Sequence, residues 1–176
     1  MKRLDENIAK ILLSQKQIQE RVHEIGTQIA ADYAEKNPLM VCLLKGSCLF
    51  FSDLVRETPI PLELDFMRAS SYHDGTQTSG TVQFEIPLSR NLANRHVILV
   101  EDILDTGTTL SAVLPALQQQ KPISLRICTL LDKPSRRRFP IAVDYCDFEI
   151  PDVFVVGYGL DYNETYRNLP YIGVMQ

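Results

Sequence analysis

Three carboxylates and a hydroxyl-rich turn stand close together in the segment "VILVEDILDTGTTLSAVLPAL", which begins at residue 97. Glu101 and Asp102 follow a run of apolar residues, Asp105 comes three residues later, and the turn at 106–109 leads into a helical pattern. The amino end of a helix offers free N–H groups and a partial positive charge, and threonine hydroxyls add donors. These groups could bind a phosphate monoester, although the same residues could also form an ordinary helix cap.

The pair of adjacent acids narrows the kind of ligand. Neighbouring side chains on a strand point to opposite faces, so Glu101 and Asp102 cannot both be solvated on one side. Two carboxylates beside a phosphate site would repel the phosphate, unless the ligand also carries hydroxyl groups or a divalent cation is bound. Carboxylates together with substrate phosphates are a usual environment for Mg²⁺. Asp105 is then free to act as a general base.

The elements that must position these groups alternate between strands and helices. Apolar runs and alternating patterns predict strands at 39–44, 62–68, 81–86, 96–101 and 123–131, with shorter extended segments at 142–150, 152–158 and 171–175. Helical patterns cover 4–35, 47–57 and 107–119, and a polar loop covers 69–80. This alternation predicts an α/β fold with a mostly parallel sheet.

Ligands of such sheets bind beyond the carboxyl ends of the strands. The loops that follow residues 44, 101 and 131 are therefore expected to lie near one another. They carry Lys45, the three acids and Lys133.

Bulk composition limits the class of protein. The chain has 176 residues, which suits a single domain spanning 1–176, and its formal net charge of −4 disfavours a protein that binds nucleic acid by bulk charge. No apolar run approaches the ~18 residues of a membrane span, and "MKRLDENIAK" lacks the apolar core of a secretion signal. None of the four cysteines forms a C-x-x-C motif. We therefore expect a reduced cytoplasmic protein without a membrane partner, with a disulfide pair as the alternative.

Four segments resemble one known family. "VILVEDILDTGTT" resembles the 5-phosphoribosyl 1-diphosphate (PRPP) signature of type I phosphoribosyltransferases. "LLKGS" at 43–47 resembles the pyrophosphate loop of the hypoxanthine-guanine phosphoribosyltransferases, and "SSYHDGTQTSG" at 70–80 resembles their mobile catalytic loop. "FVVGYGLDYNETYRNLPYIGVM" at 154–175 resembles their C-terminal purine and metal segment. The resemblance implies the type I phosphoribosyltransferase fold, in which N- and C-terminal segments form a small hood beside a mostly parallel central sheet flanked by helices.

The resemblance also implies which residues bind PRPP. Glu101 and Asp102 would contact the ribose hydroxyls, partly through Mg²⁺. The 5′-phosphate would be enclosed by Asp105, Thr106, Gly107, Thr108 and Thr109. Pyrophosphate would be bound by Lys45, Gly46 and Arg167, with a cis peptide bond between Leu44 and Lys45. Ser71 and Tyr72 would belong to a loop that closes over the site, although the composition of that loop also suits an inert flexible turn.

On the purine side, the resemblance assigns Asp105 as the proton-transfer residue near N7 and Lys133 as the donor to the 6-oxo group. Phe154 would stack on the base, the Val155 backbone would contact its edge, and Asp161 would bind a second Mg²⁺ largely through water. Without the resemblance, Lys133, Asp161 and Arg167 would be read as surface charges and Phe154 as a core residue. The arginines at 136–138 are expected to form a solvated turn or a subunit contact.

The implied reaction joins hypoxanthine or guanine to PRPP and releases IMP or GMP with pyrophosphate, as in purine salvage, with Mg²⁺ as the cofactor. A homodimer or homotetramer is expected. Two alternatives remain open. One is an enzyme that prefers xanthine or adenine. The other is a PRPP-sensing transcriptional regulator, which the acidic composition disfavours because such a protein needs a basic face or a nucleic-acid-binding module.

Overall fold

The computed structural model describes residues 5–71 and 82–176, which form nine strands and three α-helices. The strands are β1 (Ile8–Leu13), β2 (Leu39–Leu43), β3 (Glu63–Ser71), β4 (Val82–Ile86), β5 (His96–Leu104), β6 (Ser124–Asp132), β7 (Tyr145–Glu149), β8 (Val155–Val156) and β9 (Ile172–Met175). The helices are α1 (Gln15–Asp32), α2 (Cys48–Arg56) and α3 (Thr108–Gln119). A 3₁₀ turn covers Pro134–Arg136. Within the described ranges, no helix has the length and apolar character needed to cross a membrane.

The central sheet has six strands in the order β4-β3-β2-β5-β6-β7. Every neighbouring pair is parallel except β3 and β4, which are antiparallel. This confirms the predicted α/β class with a mostly parallel sheet. The carboxyl ends of β2, β5 and β6 lie side by side in the middle of the sheet, and the loops that follow them meet at one edge.

Both faces of the sheet are covered, which explains why the predicted central strands were continuous apolar runs. Met40 and Cys42 pack in the cluster that contains the buried residues of α1 and α2. Leu39, Val41 and Leu43 pack in a second cluster with the buried residues of α3. A strand that is buried on both faces does not alternate between apolar and polar residues.

The predicted helix at 4–35 is wrong at its start. Residues 8–13 form β1, which pairs antiparallel with β9, and β9 also pairs with β8. The helix begins after Ser14, whose side chain accepts a hydrogen bond from the Gln17 N–H, while the Gln17 side chain accepts one from the Ser14 N–H. This capping box sets the boundary. The three strands form the expected hood from the two ends of the chain.

Strand β5 is longer than predicted. It continues to Leu104 and pairs with β6 as far as Asp132, so Asp102 also lies within the strand and Glu101 is not its last residue. Three residues further on, Gly107 precedes α3 with a φ of 80°. This left-handed conformation favours glycine, and it allows the chain to turn tightly from β5 into the helix. The polar loop predicted at 69–80 is also shorter at its start, because β3 extends to Ser71.

Candidate active site

The loop after β2 lies directly against the end of β5. A Cβ atom on Gly46 would lie only 1.6 Å from Asp102 Oδ2, so any side chain at this position would displace the carboxylate. The peptide bond between Leu44 and Lys45 is cis, as expected. The predicted proximity of the loops after 44 and 101 is therefore confirmed.

Two adjoining cavities occupy this edge of the sheet. One has a volume of about 470 Å³, and its lining includes Asp102, Asp105, Lys133, Phe154, Val155 and Asp161. The other has a volume of about 260 Å³, and its lining includes Glu101, Asp102, Asp105, Thr106, Gly107 and Thr109. Asp102 and Asp105 line both cavities, so a ligand could extend from one into the other past these two carboxylates.

The smaller cavity has the chemistry of a phosphate site. The smaller one is formed by the turn into α3, where the Thr108 N–H donates to the Thr106 hydroxyl at 3.3 Å and the two threonine hydroxyls lie 2.8 Å apart. Its donors are hydroxyls and N–H groups at a helix amino end, which suits a phosphate.

A third cavity, of about 520 Å³, lies at the amino ends of β5 and β6, where polar groups such as Arg126 and Asp144 are paired with each other. It lies at the opposite edge of the sheet from Glu101, Asp102 and Asp105.

Glu101 and Asp102 hold a proton more tightly than ordinary carboxyl groups. Burial, followed by the neighbouring Asp102 charge, raises the pKa of Glu101 well above its usual range. Burial also raises the pKa of Asp102, although hydrogen bonds from Glu101 and from the Ile103 N–H oppose this. Among the described residues, Glu101 Oε2 is buried and has no hydrogen-bond partner. The pair therefore favours a bound positive charge, either a proton or a cation.

The same pair fits a magnesium ion. No group of three His, Cys, Asp or Glu side chains within residues 5–71 and 82–176 could hold a metal by itself. Mg²⁺ usually binds through one or two carboxylates, with waters and substrate phosphates as its other ligands. An unpartnered carboxylate oxygen beside a phosphate-type cavity has the donor chemistry that this arrangement requires.

Lys133 is buried, which contradicts the expectation for a lone lysine before proline. Its side chain is only 5% exposed, and Nζ donates to the Val153 carbonyl at 2.7 Å. Phe154 follows directly and is 55% exposed, so it is not the core residue that its type alone suggests. Its ring meets the Tyr162 ring edge-on at 5.8 Å. An exposed ring beside a buried ammonium group can stack on a planar ligand and donate a hydrogen bond to its edge.

The two cations predicted to bind pyrophosphate lie together, and an unpredicted acid joins them. Lys45 Nζ is 3.1 Å from Glu164 Oε2, and Arg167 Nη2 is 3.4 Å from Glu164 Oε1. The hydrogen bond from Lys45 lowers the pKa of Glu164. Arg167 also lies 2.8 Å from Asp161, and its Nε is buried without a hydrogen-bond partner in the described part of the chain. These cations could bind an anion in exchange for Glu164.

Arg136 is a second residue that the sequence analysis missed. It lines the larger cavity, where its Nε lies 3.1 Å from Asp105 Oδ1. Nothing in "KPSRRRF" distinguishes it from its neighbours, because the contact depends on how the turn after β6 packs against β5. Ser71 is the last residue of β3. Tyr72 and the rest of the predicted closing loop, to residue 80, lie outside the described residues.

Comparison with known proteins agrees with this arrangement. Residues 9–163 match the model of the phosphoribosyl transferase domain. A hypoxanthine-guanine phosphoribosyltransferase of Streptococcus pneumoniae is 47% identical over 173 residues, which cover 98% of this chain and 96% of that protein. The crystal structure of a hypoxanthine phosphoribosyltransferase from Staphylococcus aureus is 48% identical and covers 97% of this chain and 92% of its own, with a TM-score of 0.93.

A third relative is more distant in sequence and similar in fold. The crystal structure of a hypoxanthine-guanine phosphoribosyltransferase from Bacillus anthracis is 41% identical, with a TM-score of 0.91, and covers 96% of this chain and 99% of its own. The likeness covers nearly the whole chain, and therefore both the central sheet and the hood. The chain therefore belongs to the phosphoribosyltransferase family, and within it to the hypoxanthine-guanine phosphoribosyltransferases.

Proposed function

We propose that this chain, as a single domain spanning residues 1–176, transfers the 5-phosphoribosyl group of PRPP to hypoxanthine or guanine. The products are IMP or GMP and pyrophosphate, so the enzyme is a pentosyltransferase of purine salvage. The observation that carries this proposal is the pair of adjoining cavities, one suited to a planar base and one to a phosphate, with Asp102 and Asp105 lining both. The reaction forms a bond between a base and a phosphorylated sugar, and these two carboxylates lie where the two cavities adjoin.

The base is selected at its C6 edge. A 6-oxopurine presents a carbonyl acceptor there, whereas adenine presents an amino donor. Lys133 has only donors to offer. It already donates to the Val153 carbonyl, and an ammonium group has further donors for the ligand. Adenine would leave a buried ammonium facing a donor, and Phe154 would stack equally well on every purine.

The phosphoribosyl group occupies the smaller cavity. The turn at 105–109, with Thr106, Gly107, Thr108 and Thr109, binds the 5′-phosphate through N–H and hydroxyl donors. Glu101 and Asp102 bind the ribose hydroxyls and would hold one Mg²⁺, and Asp161 would hold a second Mg²⁺ largely through water. Held there, Mg²⁺ would supply positive charge against the negative charge that develops on the departing pyrophosphate.

The remaining residues act on the leaving pyrophosphate and on the attacking purine. Lys45, Gly46 and Arg167 bind the pyrophosphate, and the two cations stabilise its charge as it leaves. Asp105 accepts or shares the N7 proton of the purine, which makes N9 a better nucleophile. Because Asp105 lines both cavities, its carboxylate can reach the purine while the sugar phosphate is bound.

Two wider features complete the proposal. PRPP and nucleoside monophosphates are highly charged and do not cross membranes, so we place the reaction in the cytoplasm. The active enzyme is a homodimer or homotetramer, as the family resemblance implies, and sedimentation of the purified protein would test this.

The test is kcat/KM with PRPP and each of hypoxanthine, guanine, xanthine and adenine. A buried polar mismatch can discriminate by ~10⁴-fold, so adenine should be a very poor substrate of the wild-type enzyme. Lys133→Met should remove most activity with the 6-oxopurines, whereas Phe154→Ala should weaken all purines in parallel. The exposed Lys16→Met variant controls for the loss of one positive charge. Equal turnover of adenine and hypoxanthine by the wild type would refute the assignment of Lys133.

A further inference from the structure

The side chain of Arg136 connects two parts of the larger cavity. Its Nε lies 3.1 Å from Asp105 Oδ1, in the turn that follows β5. Its Nη1 lies 3.4 Å from Asp152 Oδ1, in the loop that leads to β8. The same loop carries Val153, whose carbonyl accepts from Lys133, and the exposed ring of Phe154. The Arg136 guanidinium therefore links Asp105, the proposed general base, to the loop that carries the purine-binding groups.

The two oxygens of Asp105 have different surroundings. Oδ1 is buried and has no hydrogen-bond partner in the described residues, since the Arg136 Nε beside it is not aligned as a donor. The side chain as a whole is 35% exposed, so Oδ2 is the carboxylate oxygen that the cavity can reach. The Arg136 guanidinium restrains one carboxylate oxygen of Asp105 while the other stays available.

The backbone holds this arrangement in place. The Arg138 and Phe139 N–H groups both donate to the Thr106 carbonyl, at 3.0 and 3.2 Å. The side chain of Arg137 donates from Nε to the Asp105 carbonyl at 3.2 Å. The segment at 136–139 is thus fixed against the turn at 105–106 by contacts that do not involve the Arg136 side chain. Arg136 can be substituted without removing them.

We propose that Arg136 is a positioning residue, which keeps the Asp105 carboxylate oriented for proton transfer from the purine. The inference rests on the proposed function and adds a residue to it. A planar guanidinium with several donors can reach Asp105 and Asp152 at once, whereas a lysine ammonium is a single point on a flexible chain. The arginine therefore matters for its shape as well as its charge.

A solvated arginine would behave differently. The Arg136 side chain is 46% exposed, and ion pairs at the surface contribute little to stability. If the ion pair is purely structural, its removal would leave kcat unchanged, or would raise the KM for the purine because the cavity wall becomes looser. A positioning role through Asp105 instead lowers kcat, and only while Asp105 is present to be positioned.

The experiment is a double-mutant cycle on Arg136 and Asp105, measured with hypoxanthine and saturating PRPP. Arg136→Gln should lower kcat about 10-fold, less than the ~100-fold loss expected for Asp105→Asn. In the Asp105→Asn background, Arg136→Gln should cause no further loss, because residues that act as a unit are not additive. Arg136→Lys should recover part of the activity. Arg138→Gln, which changes an exposed arginine two residues away, should match the wild type.

The outcomes separate this inference from the proposed function. If the wild type does not convert hypoxanthine and PRPP to IMP, the proposed function itself fails. If the wild type is active and Arg136→Gln keeps its full kcat, or changes only the KM for hypoxanthine, Arg136 is not a positioning residue. An equal loss of kcat in both backgrounds would likewise overturn the role through Asp105. Thermal unfolding of each variant checks that the fold is retained.

Discussion

Asp147 makes the stability of this protein depend on pH in an unusual direction. It lies on β7, is only 6% exposed, and neither carboxylate oxygen has a hydrogen-bond partner among the residues described. Arg21 lies nearby, but its guanidinium donates to the backbone carbonyls of Asp147 and Cys146 rather than to the carboxylate. Burial raises the pKa of Asp147 to about 8, the Arg21 charge opposes this, and the Glu24 charge adds to it.

The sign of the effect follows from proton binding in the two states. In the unfolded chain this carboxyl loses its proton near its ordinary pKa of 3.8, whereas in the folded protein it keeps the proton up to about pH 8. Between these values the folded state binds more protons, so the free energy of unfolding falls as pH rises. About four pH units at about 1.4 kcal/mol each give a loss of about 5 kcal/mol. That is a large share of the ~5–15 kcal/mol that stabilises a typical domain.

The perturbation is Asp147→Asn, which keeps the shape of the side chain and stays neutral at every pH. Urea unfolding is measured at pH 5, 7 and 9. The free energy of unfolding of the variant should exceed that of the wild type by about 1–2 kcal/mol at pH 5 and by about 5 kcal/mol at pH 9. The difference between the two proteins isolates Asp147, because the other carboxylates titrate in both. Glu149→Gln removes an exposed carboxylate from the same strand and should show no such trend.

Two results would refute this reasoning. The first is a constant difference between Asp147→Asn and the wild type across the three pH values, which would mean that the carboxyl has the same pKa in both states. The second is a variant less stable than the wild type at pH 9, which would mean that the buried carboxylate is stabilised by partners that the amide cannot replace.

Three further predictions concern the proposed active site. Chelation with EDTA should abolish turnover and added Mg²⁺ should restore it, so full activity in metal-free buffer would exclude the proposed role of the ion. Asp105→Asn should lower kcat by about 100-fold or more in steady-state assays, and a normal kcat with a raised KM would make Asp105 a binding residue instead. Gly46→Ala should retain the fold by circular dichroism but lose most activity, because its Cβ would displace the Asp102 carboxylate; wild-type activity would show that the loop can move without cost.

The parts of the fold that the sequence predicted well are those in which local pattern and tertiary position agree. Strand β2 is buried on both faces, and its apolar run follows from that position alone. β1 was misread as helix because "IAKILL" is extended only through pairing with β9, about 160 residues away in the chain. Ser14 and Gln17 carried a local signal of the true boundary, since their spacing is that of a capping box.

The candidate site divides in the same way. The turn at 105–109 could be located from sequence because its aspartate, threonines and glycine are contiguous and its chemistry is local. Arg136 and Glu164 could not, because each matters through a partner on another element: Arg136 through Asp105, and Glu164 through Lys45. A run of three arginines reads as a solvated turn until the packing of the turn after β6 against β5 is known.

The charges of the site also suggest how its ligands enter. Lys45 and Arg167 face Glu164, while burial and the Asp102 charge raise the pKa of Glu101. An anion that arrives alone can displace Glu164, but its phosphates would then lie near Glu101 and Asp102. A divalent cation that arrives alone finds too few protein ligands among the described residues to form a closed site. A diphosphate that carries its own cation would meet both needs, because Lys45 and Arg167 would bind its phosphates while Glu101 and Asp102 would hold the cation. On the proposed function, PRPP and Mg²⁺ therefore bind together.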